Sequence, residues 1–225
     1  MFVLPALQNS RLGRLIYRAD AEAKPDLDLP TMVGADGWSR LPLAVQRRFA
    51  VAHADTTYEG HMDLRRSRMG WVYAVLSRIV GGPLTTLNCF GVPIKVRVTG
   101  NGQGGVVWER CFLAETAKTS GQECVVRSTK VLDTDGSLLE RTDGGLSMSL
   151  AVFEEDGMLV FRSHRFWWMF GQLRIRIPTL LTPGTCRVVH ADLGNGLFRF
   201  TLSMVHPLWG ETFYQSGVFV DPCNA

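Results

Sequence analysis

The chain has 225 residues, 46% of them hydrophobic, with 24 basic and 21 acidic side chains and a formal net charge of +3. That is enough apolar material for one sizeable core, which excludes a disordered tail, a fibre and a small disulfide scaffold. The near balance of charge gives no field strong enough to point to nucleic acid or an anionic membrane.

The N-terminus, MFVLPALQNSRLGRLIYRA, has neither the continuous apolar region of a secretory signal nor a small-residue cleavage site. No stretch approaches the roughly 18 uncharged apolar residues of a membrane span, so no span is expected and a cytoplasmic location is the default. Residues 1–38 are rich in Asp, Ala and Pro, with turn signals in DLDLPTMVGADGW, and are expected to form an irregular extension ahead of one domain over 39–225.

A helix is expected at about 41–54, where Val45, Phe49 and Ala52 recur at helical spacing, Ser39 can cap and Pro42 suits a first turn. A second is expected at about 69–80, with Val72, Val75, Leu76 and Ile79 as its apolar stripe and Gly81-Gly82-Pro83 as its stop. Between them HADTTYEGHMD carries His53, Asp55, Glu59, His61 and Asp63. Their spacing matches no H-E-x-x-H arrangement, and the segment reads as the solvated exit of the first helix, with no metal site.

From about residue 93 the chain reads as strands. Asn101-Gly102, Asp135-Gly136, Asp143-Gly144, Asp156-Gly157 and Asn195-Gly196 each sit between β-branched or aromatic runs, a strong hairpin signal. The runs between them number roughly eight to ten, the spacing of a sandwich or barrel. The expected class is α+β and β-rich: a strongly curved antiparallel sheet or barrel-like meander, with two N-terminal helices packed on it or plugging it. The run GNGQGG joins strand to strand and is therefore a hairpin; a dinucleotide loop needs a helix to follow.

Five cysteines, Cys89, Cys111, Cys124, Cys186 and Cys223, are scattered without a C-x-x-C pair and read as reduced thiols, mostly buried in strands. No G-x-S-x-G elbow is present, and no cofactor is implied. RSHRFWWMFGQLRIRIP interleaves Arg162, Arg165, Arg174 and Arg176 with aromatics as a half-exposed strand does, and Phe166, Trp167, Trp168 and Phe170 are placed to rim a pocket mouth.

Strand alternation shows which polar residues share a face with large apolar ones. Trp108, Arg110 and Phe112 share one face, and the larger apolar area favours it as the inner one; the other register puts Glu109 and Cys111 inside. Phe198, Phe200, Leu202, Met204 and His206 alternate inward, and Cys186, Val188 and His190 repeat the arrangement one hairpin earlier. Tyr214 lies in a strand where either face buries something polar, and Glu140 sits close to a strand end. Arg, Glu, His and Tyr converging on an apolar interior are the parts for acid/base chemistry or for holding a polar head, although an inward His or an Arg–Glu pair also commonly satisfies itself.

Several segments together resemble an uncharacterised bacterial family, domain of unknown function 4166. They are LPLAVQRRF at 41–49 with the following His53 and Gly60, WERCF at 108–112, Glu140 before a glycine turn, IRIPTLLTP at 175–183 and HPLWGETFYQSG at 206–217. The resemblance spans roughly residues 40–220 and carries over Trp108, Arg110, Phe112, Glu140, Pro178, Pro207, Gly210, Tyr214 and Gly217 as family positions. It implies no established activity. Family lookalikes stand alone or attached to a dehydrogenase domain.

Three functional classes follow. The leading one is a binding domain for a small hydrophobic or amphipathic metabolite, with Trp108, Phe112, Trp168 and Phe200 as walls and Arg110 anchoring a carboxylate or enolate-like oxygen. The second is a cofactor-independent cyclase, isomerase or dehydratase, with Glu140 or His206 as general base and Tyr214 or Arg110 stabilising an oxyanion. The third, an accessory domain partnering a dehydrogenase, is implied only by the attachments of the lookalikes.

Overall fold

The computed structural model describes residues 26–50, 55–79, 84–113, 124–170 and 173–222. Residues 1–25, Ala52, His53, Gly81-Gly82-Pro83 and Cys223, with the side chains of Ile79, Cys124 and Phe170, lie outside that set. Four helices are described: α1 (Leu29–Val33), α2 (Ala35–Arg40), α3 (Leu43–Ala50) and α4 (Arg68–Ile79). The strands are β1 (Thr56–Arg66), β2 (Cys89–Gly100), β3 (Val106–Phe112), β4 (Cys124–Leu132), β5 (Leu138–Arg141), β6 (Leu146–Glu155), β7 (Met158–Phe170), β8 (Leu173–Ile177), β9 (Thr185–Gly194), β10 (Leu197–His206) and β11 (Gly210–Val220).

Ten of these strands close into an antiparallel barrel in the order β1-β2-β3-β4-β5-β6-β7-β9-β10-β11, with β11 pairing back onto β1. β8 stands outside the ring and pairs with β7 alone. The turns explain why neighbours in sequence are neighbours in the barrel. Asp156 and Gly157, like Asn195 and Gly196, have positive φ at both central positions, the geometry whose twist matches the flanking strands. Thr142 N–H donates to Leu146 O across the β5–β6 turn, and there Gly145 takes the left-handed conformation.

Two sequence expectations are corrected. TTYEGHMDLRR is strand β1, inserted between the two long helices, where a solvated helix exit was expected. Only Tyr58, Met62 and Leu64 are large inward residues, and Gly60 occupies an inward position because a Cβ there would lie 2.2 Å from the Val218 carbonyl oxygen. The apolar alternation is thus diluted by a glycine that close packing requires. In α4 the buried residues are Gly70, Ala74 and Ser77, while Leu76 is exposed. The helix approaches the barrel on its small residues, while Val72 and Val75 of the expected stripe are half-buried and Leu76 borders the cavity beneath the helix.

The helices close opposite ends. α3 precedes β1 and plugs the end where β1 begins: Phe49 packs against Trp108, Phe161 and His190 inside the barrel. Arg48, one residue earlier, donates from Nη2 to Asp221 beyond β11 at 2.8 Å and lies over the Phe198 ring. α4 covers the end where β1 finishes, tied there by Ser67 N–H donating to Thr212 O. At that end the wall divides. A bulge at β7 sets His164 between the partners of Ser149 and Leu150, and beyond it β7 leaves β9 and pairs with β8.

Candidate functional site

Inward alternation from β3, β4 and β5 brings three charged side chains together midway along the barrel. Arg110, Lys130 and Glu140 are 8%, 7% and 7% exposed. Lys130 Nζ lies 3.3 Å from one Glu140 oxygen, and an Arg110 guanidinium nitrogen lies 4.0 Å from the other. The Lys130 ammonium position also faces the rings of Trp108 at 5.0 Å and Phe161 at 5.5 Å. The inner register of β3 is therefore the one with Trp108, Arg110 and Phe112, and Glu109 is on the other face.

Burial and neighbouring charge oppose each other here. Burial alone would raise the Glu140 carboxyl, but the Lys130 and Arg110 cations outweigh it and hold the group below its ordinary value. Lys130 is pushed down by burial, against the attraction of Glu140 and with the repulsion of Arg110. Cys186, on β9, is pushed up to about 12 by burial and by Glu140, so it is an inert thiol. His190, 3% exposed, is held well below its usual value by burial and then by Arg48, Lys130 and Arg110, so its ring is neutral. Its Nδ1 has no hydrogen-bond partner among the described residues, and neither do Arg48 Nε and Nη1.

Three small cavities meet at this cluster, each bordered by a different charged member. One of about 20 Å³ is lined by Arg110 with Trp108, His190, Phe198 and Phe200. A second, about 30 Å³, lies towards the α3 plug and is lined by Lys130, Arg48, Phe49, Trp108 and Phe161. The third, about 30 Å³, lies towards the other end and is lined by Glu140, Met148, Phe166 and Met204. Each has room for a water or two. The third shares Leu84, Leu146, Phe166 and Pro183 with a larger cavity of about 140 Å³ beneath α4, whose remaining lining includes Tyr73, Leu76, Ile177 and Leu181. The division of the wall at β7 and β8 makes this mouth.

The residues singled out from the sequence separate accordingly. Trp108, Arg110 and Phe200 line one cavity together. Phe112 packs in the core opposite Ile94. Trp168 stands outside the barrel, its indole N–H donating to Gly144 O, where it pins the β5–β6 turn. Tyr214 is on the outer face beneath the Arg65 guanidinium and is not brought near Glu140's side of the wall. His206 is buried, with both ring nitrogens engaged: Leu208 and Trp209 N–H groups donate to Nδ1, which leaves Nε2 to donate to Leu180 O at 3.3 Å. It ties the β10–β11 turn to the 3-10 helix Thr179–Leu181 and has no free lone pair for a base.

The segment from the α3 plug to β11 builds all of this, and the same span identifies the chain. It belongs to the family described as domain of unknown function (DUF4166). The family model matches residues 41–219, from two residues before the plug helix to the penultimate residue of the closing strand. No curated protein matches the chain. Within this DUF4166 barrel, sequence reading missed Lys130, Arg48 and the role of His190. Lys130 was legible in principle, since Val126, Ser128 and Lys130 alternate on one face of β4. Arg48 stands three residues after Val45 and so joins the plug's inner stripe.

Proposed function

We propose that the barrel is a binding domain for a small amphipathic molecule. The ligand enters beneath α4, lays its apolar body in the mouth cavity and along Phe166 and Met204, and places an oxygen-bearing head against Glu140, Lys130 and Arg110. The observation that carries this reading is the convergence of three cavities on a buried cluster with two cationic side chains to one carboxylate. A buried cation is costly unless paired, and a ligand oxygen supplies the missing partner. His190 Nδ1 and the spare Arg48 nitrogens point the same way, because buried polar atoms are nearly always satisfied. A mouth of about 140 Å³ is close to the ~150 Å³ cavity that accepts a benzene ring.

The experiment is calorimetric titration with octanoate, together with native mass spectrometry of protein purified from its own host. Arg110→Met is expected to weaken octanoate at least about tenfold, the loss of one charge-assisted contact, while the fold persists. Equal affinity in variant and parent, or a parent that binds nothing and purifies empty, would overturn the reading. The enzymatic alternative draws on one observation, that Glu140 is kept ionised in an apolar enclosure as a general base must be. Under it Glu140→Gln removes turnover of a bound host metabolite without removing the metabolite.

A further inference from the structure

Twenty of the 24 basic residues are arginines, yet the cation wedged between Trp108, Phe161 and Glu140 is one of only four lysines. The distinction matters because arginine cannot surrender its proton in a protein and lysine can. Several charged or titratable groups face or adjoin Lys130. Glu140 on β5 is at 3.3 Å, Arg110 on β3 holds the same carboxylate, the Cys186 thiol and neutral His190 come from β9, and Arg48 on α3 borders the same cavity. Arg48 is matched by Asp221, and Arg110 can match Glu140. Lys130 and Arg110 then share the single Glu140 carboxylate, and Lys130 is the one of the two able to become neutral.

We infer that Lys130 is a carbonyl-reactive amine, which condenses with the aldehyde or ketone head of an amphipathic ligand seated in the barrel. The inference rests on the binding reading of the same interior and names the chemistry of the head. The Nζ lone pair adds to the carbonyl carbon, and the C=O π pair moves to oxygen. Glu140 carries one proton from nitrogen to that oxygen, giving the carbinolamine. The nitrogen lone pair then expels the hydroxyl as C=N forms, and Glu140 passes the remaining N–H proton to the departing oxygen, which leaves as water. The balance is amine plus carbonyl giving imine plus water, with both hydrogens lost from nitrogen ending in the water and nothing oxidised or reduced. Arg110 is placed to donate to the oxygen as charge gathers on it. The depressed proton affinity of Lys130 agrees with an amine ready to react.

The test treats the full chain with octanal and sodium cyanoborohydride at neutral pH, followed by intact mass and peptide mapping. An ordinary lysine is neutral in fewer than about one molecule in a thousand at pH 7, so the Lys130 adduct is expected to form faster than the adduct at exposed Lys95 and to dominate the labelled peptides. Its rate should climb less steeply with pH than the gain of about tenfold per pH unit expected of solvent-exposed lysines, because burial lowers its proton affinity. Lys130→Arg and Lys130→Met should both lose this adduct while still folding, as a cooperative melting transition shows. Labelling spread evenly over the lysines, or a Lys130 rate that climbs with pH like the others, overturns the inference. If octanoate still binds in that case, the binding reading stands; if neither octanoate nor octanal binds, both fall.

Discussion

Glu140 is the residue on which the interior depends, because it faces both Lys130 and Arg110. Removing its charge by Glu140→Gln leaves two buried cations without a partner and should cost about 3 kcal/mol or more in urea denaturation. Lys130→Met should cost less, since it leaves the Arg110–Glu140 pair balanced, and the two substitutions together should fall well short of additive. His190 sets a pH limit. Its folded-state value lies below that of the unfolded chain, so as pH drops under about 6.5 the unfolded chain takes up a proton that the native ring refuses. Stability should therefore decline between pH 7 and 5, and His190→Leu should flatten that decline in a series of thermal melts. Glu140 acts in the opposite sense to a buried carboxyl left alone: its contribution is present above the unfolded value and is lost only as pH falls through its lower native one.

Among the elements, α4 has the narrowest tolerance. A Cβ on Gly70 would lie 2.1 Å from the Thr212 carbonyl oxygen, at the point where the first turn of the helix meets β11. Gly70→Ala should lift α4 from the barrel at a cost of about 1–3 kcal/mol. Hydrogen exchange should quicken over residues 68–79 more than in the strands. That dependence on glycine also explains why the helix was found by sequence but its buried face was not. The periodic stripe of Val72, Val75 and Leu76 is the larger apolar signal, whereas close approach to a strand selects Gly70, Ala74 and Ser77. β1 escaped for a related reason. Its inward row includes Gly60, and its outward row carries Glu59, His61 and Asp63, so a half-buried strand looks like a polar connection. The hairpins were legible because each depends on a local backbone requirement that glycine, alone or after Asn or Asp, meets at the turn itself.

For the molecule as a whole, closure of the barrel decides access. The first strand pairs with the last, so the interior is sealed along its wall, and the described openings lie at the ends. α3 fills one end with Phe49, and the 140 Å³ cavity beneath α4 lies at the other. Ser77→Phe would fill that cavity from the helix above it. It should leave a cooperative melting transition, lowered by no more than the usual cost of a larger buried side chain, while weakening octanoate binding at least about tenfold with the Arg110–Glu140 contact intact. Around this mouth Leu76, Leu181, Leu208 and Trp209 are exposed. Among the described residues no helix is long and apolar enough to cross a membrane.

By itself the sequence determined the class of fold, the two principal helices and the five hairpins, because these follow from local turn geometry and a period of two, and it favoured the face of β3 that carries Trp108 and Arg110. It also brought Glu140 into consideration beside Arg110. Only the tertiary structure decided which polar residues meet. Strand alternation assigns a side chain to a face but says nothing of its height along the barrel or of which neighbour occupies that height. Register across β3, β4 and β5 placed Arg110, Lys130 and Glu140 together. The same register placed Tyr214 outside and gave both nitrogens of His206 to the backbone. Those pairings depend on contacts distant in sequence, where the identity of a residue matters less than what stands opposite it.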